Sequence, residues 1–210
     1  MVASRLDSAM VAPGELPSDT ALARLRKVLL VGTLDYDNEM VLSSRGYNGS
    51  PGVYLLTPMR IPGSDTAILV NRGWVYAPDA MTVELERWRE PSLDSIQGFV
   101  NVFPPTSVAE SVVPDQPRTL RSLDPLAVAA AMPYPIAPYY VVATTPAIGA
   151  RDSVPARLPA PRLDEGPHKS YALQWAAFAL IAFGGAVAVW RSGRSGREER
   201  VVPPAPDLPH

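Results

Sequence analysis

From Ala172 to Trp190 the chain runs for 19 residues with Gln174 as its only strongly polar side chain, and this run limits what the rest of the molecule can be. At about 1.5 Å per residue a helix there spans roughly 28 Å, close to the thickness of a hydrocarbon core. A buried core helix is the alternative, but such helices are usually shorter and amphipathic. Tyr171 and Trp175 stand near one end and Trp190 at the other, the places where amphipathic rings suit a headgroup layer. Behind the run, RSGRSGREER sets Arg191, Arg194, Arg197 and Arg200 against only Glu198 and Glu199. The excess of positive charge predicts a cytoplasmic C-terminus and places residues 1–170 on the outer or periplasmic side.

That orientation requires export of a large domain ahead of its only apolar run. MVASRLDSAMVAPGELPSD has no apolar stretch of the kind that directs export. The expectation is therefore a further apolar helix upstream of Met1; without one, the chain would be anchored by its tail and face the cytosol. Most of the 24 prolines gather between residues 104 and 167 and in the tail VVPPAPDLPH, which keeps much of the second half out of regular helix. A net charge of -2 and a pI near 5.7 argue against nucleic acid as the main partner. With no cysteine, thiolate metal sites, disulfides and cysteine nucleophiles are ruled out.

Ahead of the apolar run the pattern is mainly that of strands. VLLVGTL, a polar turn at DYDNE and MVLSSR read as strand, turn and strand, and GVYLLTPM and TAILVNRGWVY are β-rich runs joined by a Pro-Gly-Ser-Asp turn. MTVELERWRE, residues 81–90, reads as a helix stopped by Pro91. SIQGFVNVF resumes strand character, SLDPLAVAAAM reads as a short helix capped by Ser122 or Asp124, and PYYVVATT as a last strand. The fold class expected is α+β: a β-rich antiparallel outer-side domain, for which a partly closed barrel is one available form, followed by a C-terminal transmembrane helix. The expected organisation is an N-terminal segment at 1–20, the β-rich domain at 21–144, a Pro-rich linker at 145–167, the membrane helix at 168–190 and an Arg-rich, then Pro-rich, tail at 191–210.

The usual parts of a catalytic centre are missing. His168 is the only histidine apart from the last residue, so neither a multi-histidine metal site nor an ordinary triad can be assembled. Asp35, Asp37 and Glu39 sit together in a turn, where a solvated loop competes with a weak cation site. GYNGSPG has neither a phosphate-loop lysine nor dinucleotide spacing. Two places remain. In VNRGWV, a cation and an aromatic flank Gly73, so Arg72 and Trp74 are either a satisfied arginine and a core tryptophan or a pair displayed for binding. At the start of the apolar run, His168, Tyr171, Trp175 and Phe178 fall on one helix face. They are either a solvated histidine above an aromatic belt or an imidazole that ligates the iron of a lipophilic porphyrin flanked by rings.

VGTLDYDNEMVLSSR, GVYLLTP, ILVNRGWV and PHKSYALQWAAFAL, in that order over roughly residues 25–190, resemble the Surfeit locus protein family of cytochrome c oxidase assembly factors. The resemblance implies a non-enzymatic membrane protein of a bacterial inner or mitochondrial inner membrane. Its β-rich domain would lie on the outer side between two transmembrane helices, and its C-terminus on the cytoplasmic or matrix side. It also implies assistance to heme a insertion into the oxidase catalytic subunit, with that subunit, the heme a synthesis enzyme and the lipid bilayer as partners. Carried over by motif, Arg72, Gly73 and Trp74 match one signature, and His168, Tyr171, Gln174 and Trp175 the other, with His168 as the implied heme a ligand or contact. A stable, heme-free structural accessory subunit of the oxidase or of a respiratory supercomplex is the alternative. Met1 falls about where the first helix of the family pattern would end, so that helix is expected upstream of it, and Ala176 stands where another aromatic is common.

Overall fold

Strand β1, Lys27–Val31, buries Val28 and Leu30 completely and exposes Leu29 and Val31, the alternation of a strand with one face on a core. The computed structural model describes residues 9–90, 93–105, 111–144, 154–161 and 168–195. The further strands are β2 (Thr33–Leu34), β3 (Met40–Leu42), β4 (Gly52–Arg60), β5 (Ala67–Tyr76), β6 (Ser95–Val102), β7 (Val112–Val113), β8 (Gln116–Leu120) and β9 (Ile136–Ala143). They make one nine-stranded sheet in the order β1-β6-β9-β5-β4-β3-β8-β7, with β2 also on β4. β4 and β5 are buried on nearly every residue, as their continuous apolar sequence requires of central strands. The turn between them contains Gly63 at φ +77°, a backbone conformation that glycine adopts without strain.

The sheet is mixed rather than purely antiparallel, and it is open rather than closed into a barrel, with β1 and β7 at its ends. β3 with β8 and β5 with β9 run parallel. The short β4–β5 and β7–β8 connections are the tight turns that join antiparallel neighbours; β9, by contrast, reaches β5 after the chain has laid down β6, β7 and β8, and it lies between β5 and β6. β1 and the strands on either side of the DYDNE turn also have different partners, β1 pairing with β6 while β2 and β3 pair with β4.

Alternation divides the core between the two faces. Val70 packs with Val28, Leu30, Met59, Val100 and Val141, while its neighbour Leu69 packs with Met40, Leu42, Leu56 and Leu120 on the other face. That second face is covered by a helix, Pro125–Ala130, with Pro125 in its first turn and Asp124 accepting from the Leu126 N–H at 2.9 Å, so Asp124 is the cap. A short helix, Thr20–Ala23, precedes β1; we label these two helices α1 (Thr20–Ala23) and α2 (Pro125–Ala130).

Residues 81–90 do not form the expected helix; only a 3-10 turn at Leu85–Trp88 does. Val83, Leu85 and Trp88 pack on the cluster of Val41, Val53, Leu55, Val75 and Ala77. Pro91 removes the N–H that would continue a helical ladder and biases Glu90 away from the helical region. The Trp88 carbonyl instead accepts from Arg72, and the Glu90 N–H donates to the Tyr36 hydroxyl.

The last element, α3 (His168–Ser195), is a 28-residue helix, and residues 162–210 form a unit apart from residues 1–161. From Tyr171 to Ser192 it has a mean hydropathy of 1.9, and none of its most apolar window is buried against protein. A helix that is apolar all round and this long can cross a membrane.

Candidate functional site

The NRGW stretch is where β5 departs from regular pairing. Leu55 faces Gly73 while Leu56 faces Asn71, so Arg72 is the extra residue of a β-bulge. The Asn71 side-chain oxygen accepts from the Gly73 N–H at 3.0 Å, satisfying a donor that the bulge takes out of the ladder. Alternation along Ile68, Val70 and Arg72 then carries the arginine into the buried face.

Arg72 is fully buried, and the chain surrounds it with acceptors. Its Nε donates to Thr57 Oγ1 at 2.8 Å, Nη1 to the Trp88 carbonyl at 2.7 Å and Glu90 Oε2 at 2.9 Å, and Nη2 to Glu39 Oε1 at 2.5 Å. The Tyr36 ring lies 5.0 Å from its guanidinium carbon. Thr57 in turn donates to Glu39 Oε1. A second arginine closes the set: Arg157 grips both carboxylate oxygens of Glu90, at 2.5 and 3.2 Å, and donates to the Arg72 carbonyl at 2.6 Å. Two guanidinium groups and two carboxylates thus share a largely buried space without net charge, the condition under which buried ions are tolerated. Burial pushes the Tyr36 hydroxyl above its ordinary pKa against the opposing pull of Arg72.

Arg157 arrives on residues 154–161, part of the stretch read as linker. Beyond Asn71 β9 no longer accompanies β5, and Ala156 takes the vacant edge: Trp74 N–H to Ala156 carbonyl and Ala156 N–H to Trp74 carbonyl, each 2.8 Å. Gly73 has φ +132°, and a Cβ there would collide with the Ala156 carbonyl. Arg72, Gly73 and Trp74 therefore form one device that seats this strap. Trp74 also donates from its indole nitrogen to the Arg45 carbonyl at 2.9 Å and packs against the Tyr47 ring at 5.5 Å.

The three turn carboxylates have separate fates. Glu39 enters the buried network, Asp37 is almost fully exposed, and Asp35 accepts from Tyr134 Oη at 2.5 Å and from the Asn38 side chain at 2.8 Å. Burial works to raise the Asp35 pKa, but the hydrogen bonds from Tyr134 and Asn38 outweigh it and hold the carboxyl below its ordinary value. No group of three histidine, aspartate or glutamate side chains placed to hold a metal occurs among the described residues.

The second signature lies wholly on α3, which begins at His168. Tyr171, Trp175 and Phe178 follow at helical spacing and are 56%, 69% and 51% exposed, with the Trp175 and Phe178 rings edge to face at 6.0 Å; Gln174 is exposed too. By residue type, a helix that begins with a histidine and continues with exposed aromatic residues carries the nitrogen donor and the rings that an iron porphyrin would need. Arg72 does not fit as a partner for its carboxylates, since every guanidinium nitrogen is bonded and the side chain has no exposed surface.

Sequence reasoning found Arg72, Gly73 and Trp74 but missed Thr57, Glu90 and Arg157, and left Glu39 in a solvated turn. One signal was present: a charged residue inside a strand buried on both faces requires buried counter-charges from elsewhere in the chain. No curated protein matches the chain. The model of the SURF1 family, known for cytochrome oxidase assembly factors rather than for an enzyme class, matches residues 2–180. Over that span, which takes in both the bulge at Arg72 and the aromatic face of α3, the chain is a member of the SURF1 family.

Proposed function

We propose that this protein assists insertion of heme a into the catalytic subunit of cytochrome c oxidase, holding the heme at the outer membrane surface on the first turns of α3. The observation that carries the reading is the position of His168 at the head of an apolar helix whose Tyr171, Trp175 and Phe178 are exposed on one face. Heme a would supply an iron able to take a protein ligand and a large apolar ring. His168 would ligate that iron, and Tyr171 and Trp175 would shelter the ring from water. Arg191, at the C-terminal end of the span, supports a C-terminus on the cytoplasmic or matrix side of a bacterial or mitochondrial inner membrane. On this reading the oxidase catalytic subunit and the heme a synthesis enzyme are the partners, and the sheet domain with its buried arginines is the rigid body presented to them. Arg72 and Trp74 then act through the fold and not by touching heme.

The test is the visible spectrum of the full chain purified after coexpression with heme a synthesis, beside His168→Ala. A heme a spectrum in the wild type that is lost in a folded, membrane-inserted variant supports the carrier. Heme a absent from both, with the protein one to one with the mature oxidase, would replace this reading by that of a heme-free accessory subunit.

A further inference from the structure

Where β9 ends and the strap takes its place, the sheet domain has an open cleft of about 560 Å³, a size that suits a ligand and not a few waters. One wall is the cross-strand pair Lys27 and Phe99 of β1 and β6, another is Tyr47, and the third is the strap, through Arg157, Leu158 and Pro159. The lining is mainly apolar, and among the described residues its charged members are two cations with no carboxylate. The charge of Arg157 is answered by Glu90, whereas Lys27, half-buried, has no ion pair among the described residues.

An apolar cleft with a cation at its edge selects an amphiphile with a negative head. The chain itself indicates which, because α3 is long and apolar enough to sit in a bilayer, where phospholipids are the abundant amphiphiles. We propose that this cleft binds a single anionic phospholipid, its phosphate beside Lys27 and an acyl chain against Phe99, Leu158 and Tyr47. Because the strap forms part of the wall, a lipid in the cleft favours the docked strap, and a docked strap favours lipid to the same degree. The site is distinct from the aromatic face of α3 and does not depend on heme.

The experiment uses the full chain in phosphatidylcholine nanodiscs that carry either a phosphatidylglycerol or a phosphatidylcholine with a diazirine in the acyl chain. Photolysis and peptide mass spectrometry locate the adducts. The phosphatidylglycerol probe should label peptides containing Lys27 and residues 154–161 in preference to the phosphatidylcholine probe. Lys27→Gln should lower that labelling about fivefold, the effect of one lysine beside an anionic headgroup. Thr144→Trp, at an exposed position on the cleft rim, should abolish labelling of these peptides by filling the space, with the fold checked by circular dichroism. Equal labelling by both probes, indifference to Lys27→Gln and Thr144→Trp, or adducts confined to Tyr171–Ser192 would overturn the proposal. So would labelling by a diazirine oleate added to the aqueous phase when the phosphatidylglycerol probe gives none.

Discussion

At Arg72 the molecule buries a charge and meets each guanidinium nitrogen with an acceptor, while along α3 it leaves Leu173, Phe183 and Val189 74%, 72% and 74% exposed. Each would be costly in the other's setting. An unpaired arginine in the sheet core or a naked apolar helix in water is unstable, so the first region needs partners from its own chain and the second needs a surrounding medium. The difference separates the two sequence signatures by role. The one at Arg72 is closed on itself and specifies shape; the one at α3 is open and, on the function proposed above, offers surface for a ligand. Substitutions in the first should therefore act on stability, and substitutions in the second on binding.

Arg72→Met should break the comparison most severely. It leaves Glu39 without a countercharge and Glu90 with Arg157 alone, at a cost of about 3–5 kcal/mol. Denaturant unfolding of the full chain, followed by tryptophan fluorescence, measures this. Adding Glu39→Gln should recover part of the loss, because the penalty lies mainly in the charge left unpaired. If Arg72→Met unfolds like wild type yet loses heme, Arg72 is a ligand contact and the division of roles is wrong.

Arg157→Ala should cost less, about 2–3 kcal/mol, since Glu90 keeps its bond to Arg72 while the bidentate grip and the bond to the Arg72 carbonyl are lost. Gly73→Ala attacks the same seat through the backbone. A positive φ at a residue with a Cβ, together with the clash against Ala156, should cost about 1–3 kcal/mol. For both, limited proteolysis should cut within residues 154–161 sooner than within β4 or β5. Cleavage rates equal to wild type would show that the strap is held by something other than the bulge.

How much of this was readable beforehand follows from which interactions are local. β4, β5, the Asp124 cap and the apolar helix are written in contiguous residues, by continuous hydrophobicity, a capping side chain ahead of Pro125, and length. The parallel pairs join segments far apart in sequence, and no turn announces them. Glu39 and Glu90 sit in the acidic, exposed-looking contexts DYDNEM and RWREP, and Arg157 in a Pro-rich stretch, so nothing near them signals burial. The aromatic face was legible because a helix brings residues three and four apart together without help from the rest of the chain.

The smallest effect concerns Asp35, which stands beside the buried network but outside it, and it tests how sharply that boundary is drawn. Tyr134→Phe removes the hydroxyl that donates to Asp35 and should cost about 1 kcal/mol at neutral pH. The Asp35 carboxyl is held below its ordinary value of 3.8, so the stability it contributes is present above that pH and is lost as pH falls through the lower folded value. For Tyr134 the sign is reversed: burial first, and then the bond to Asp35, raises its hydroxyl well above 10, so its contribution is complete below 10 and is lost as pH rises through the raised value. The gap between wild type and Tyr134→Phe should therefore be flat across neutral pH and close in both strong acid and strong alkali. Unfolding midpoints measured across pH will show this if the pair is an independent local bond. A gap that instead widens in acid would mean that protonating Asp35 disturbs the neighbouring Glu39 and Arg72, and the boundary between solvated turn and buried network would have to be redrawn to include it.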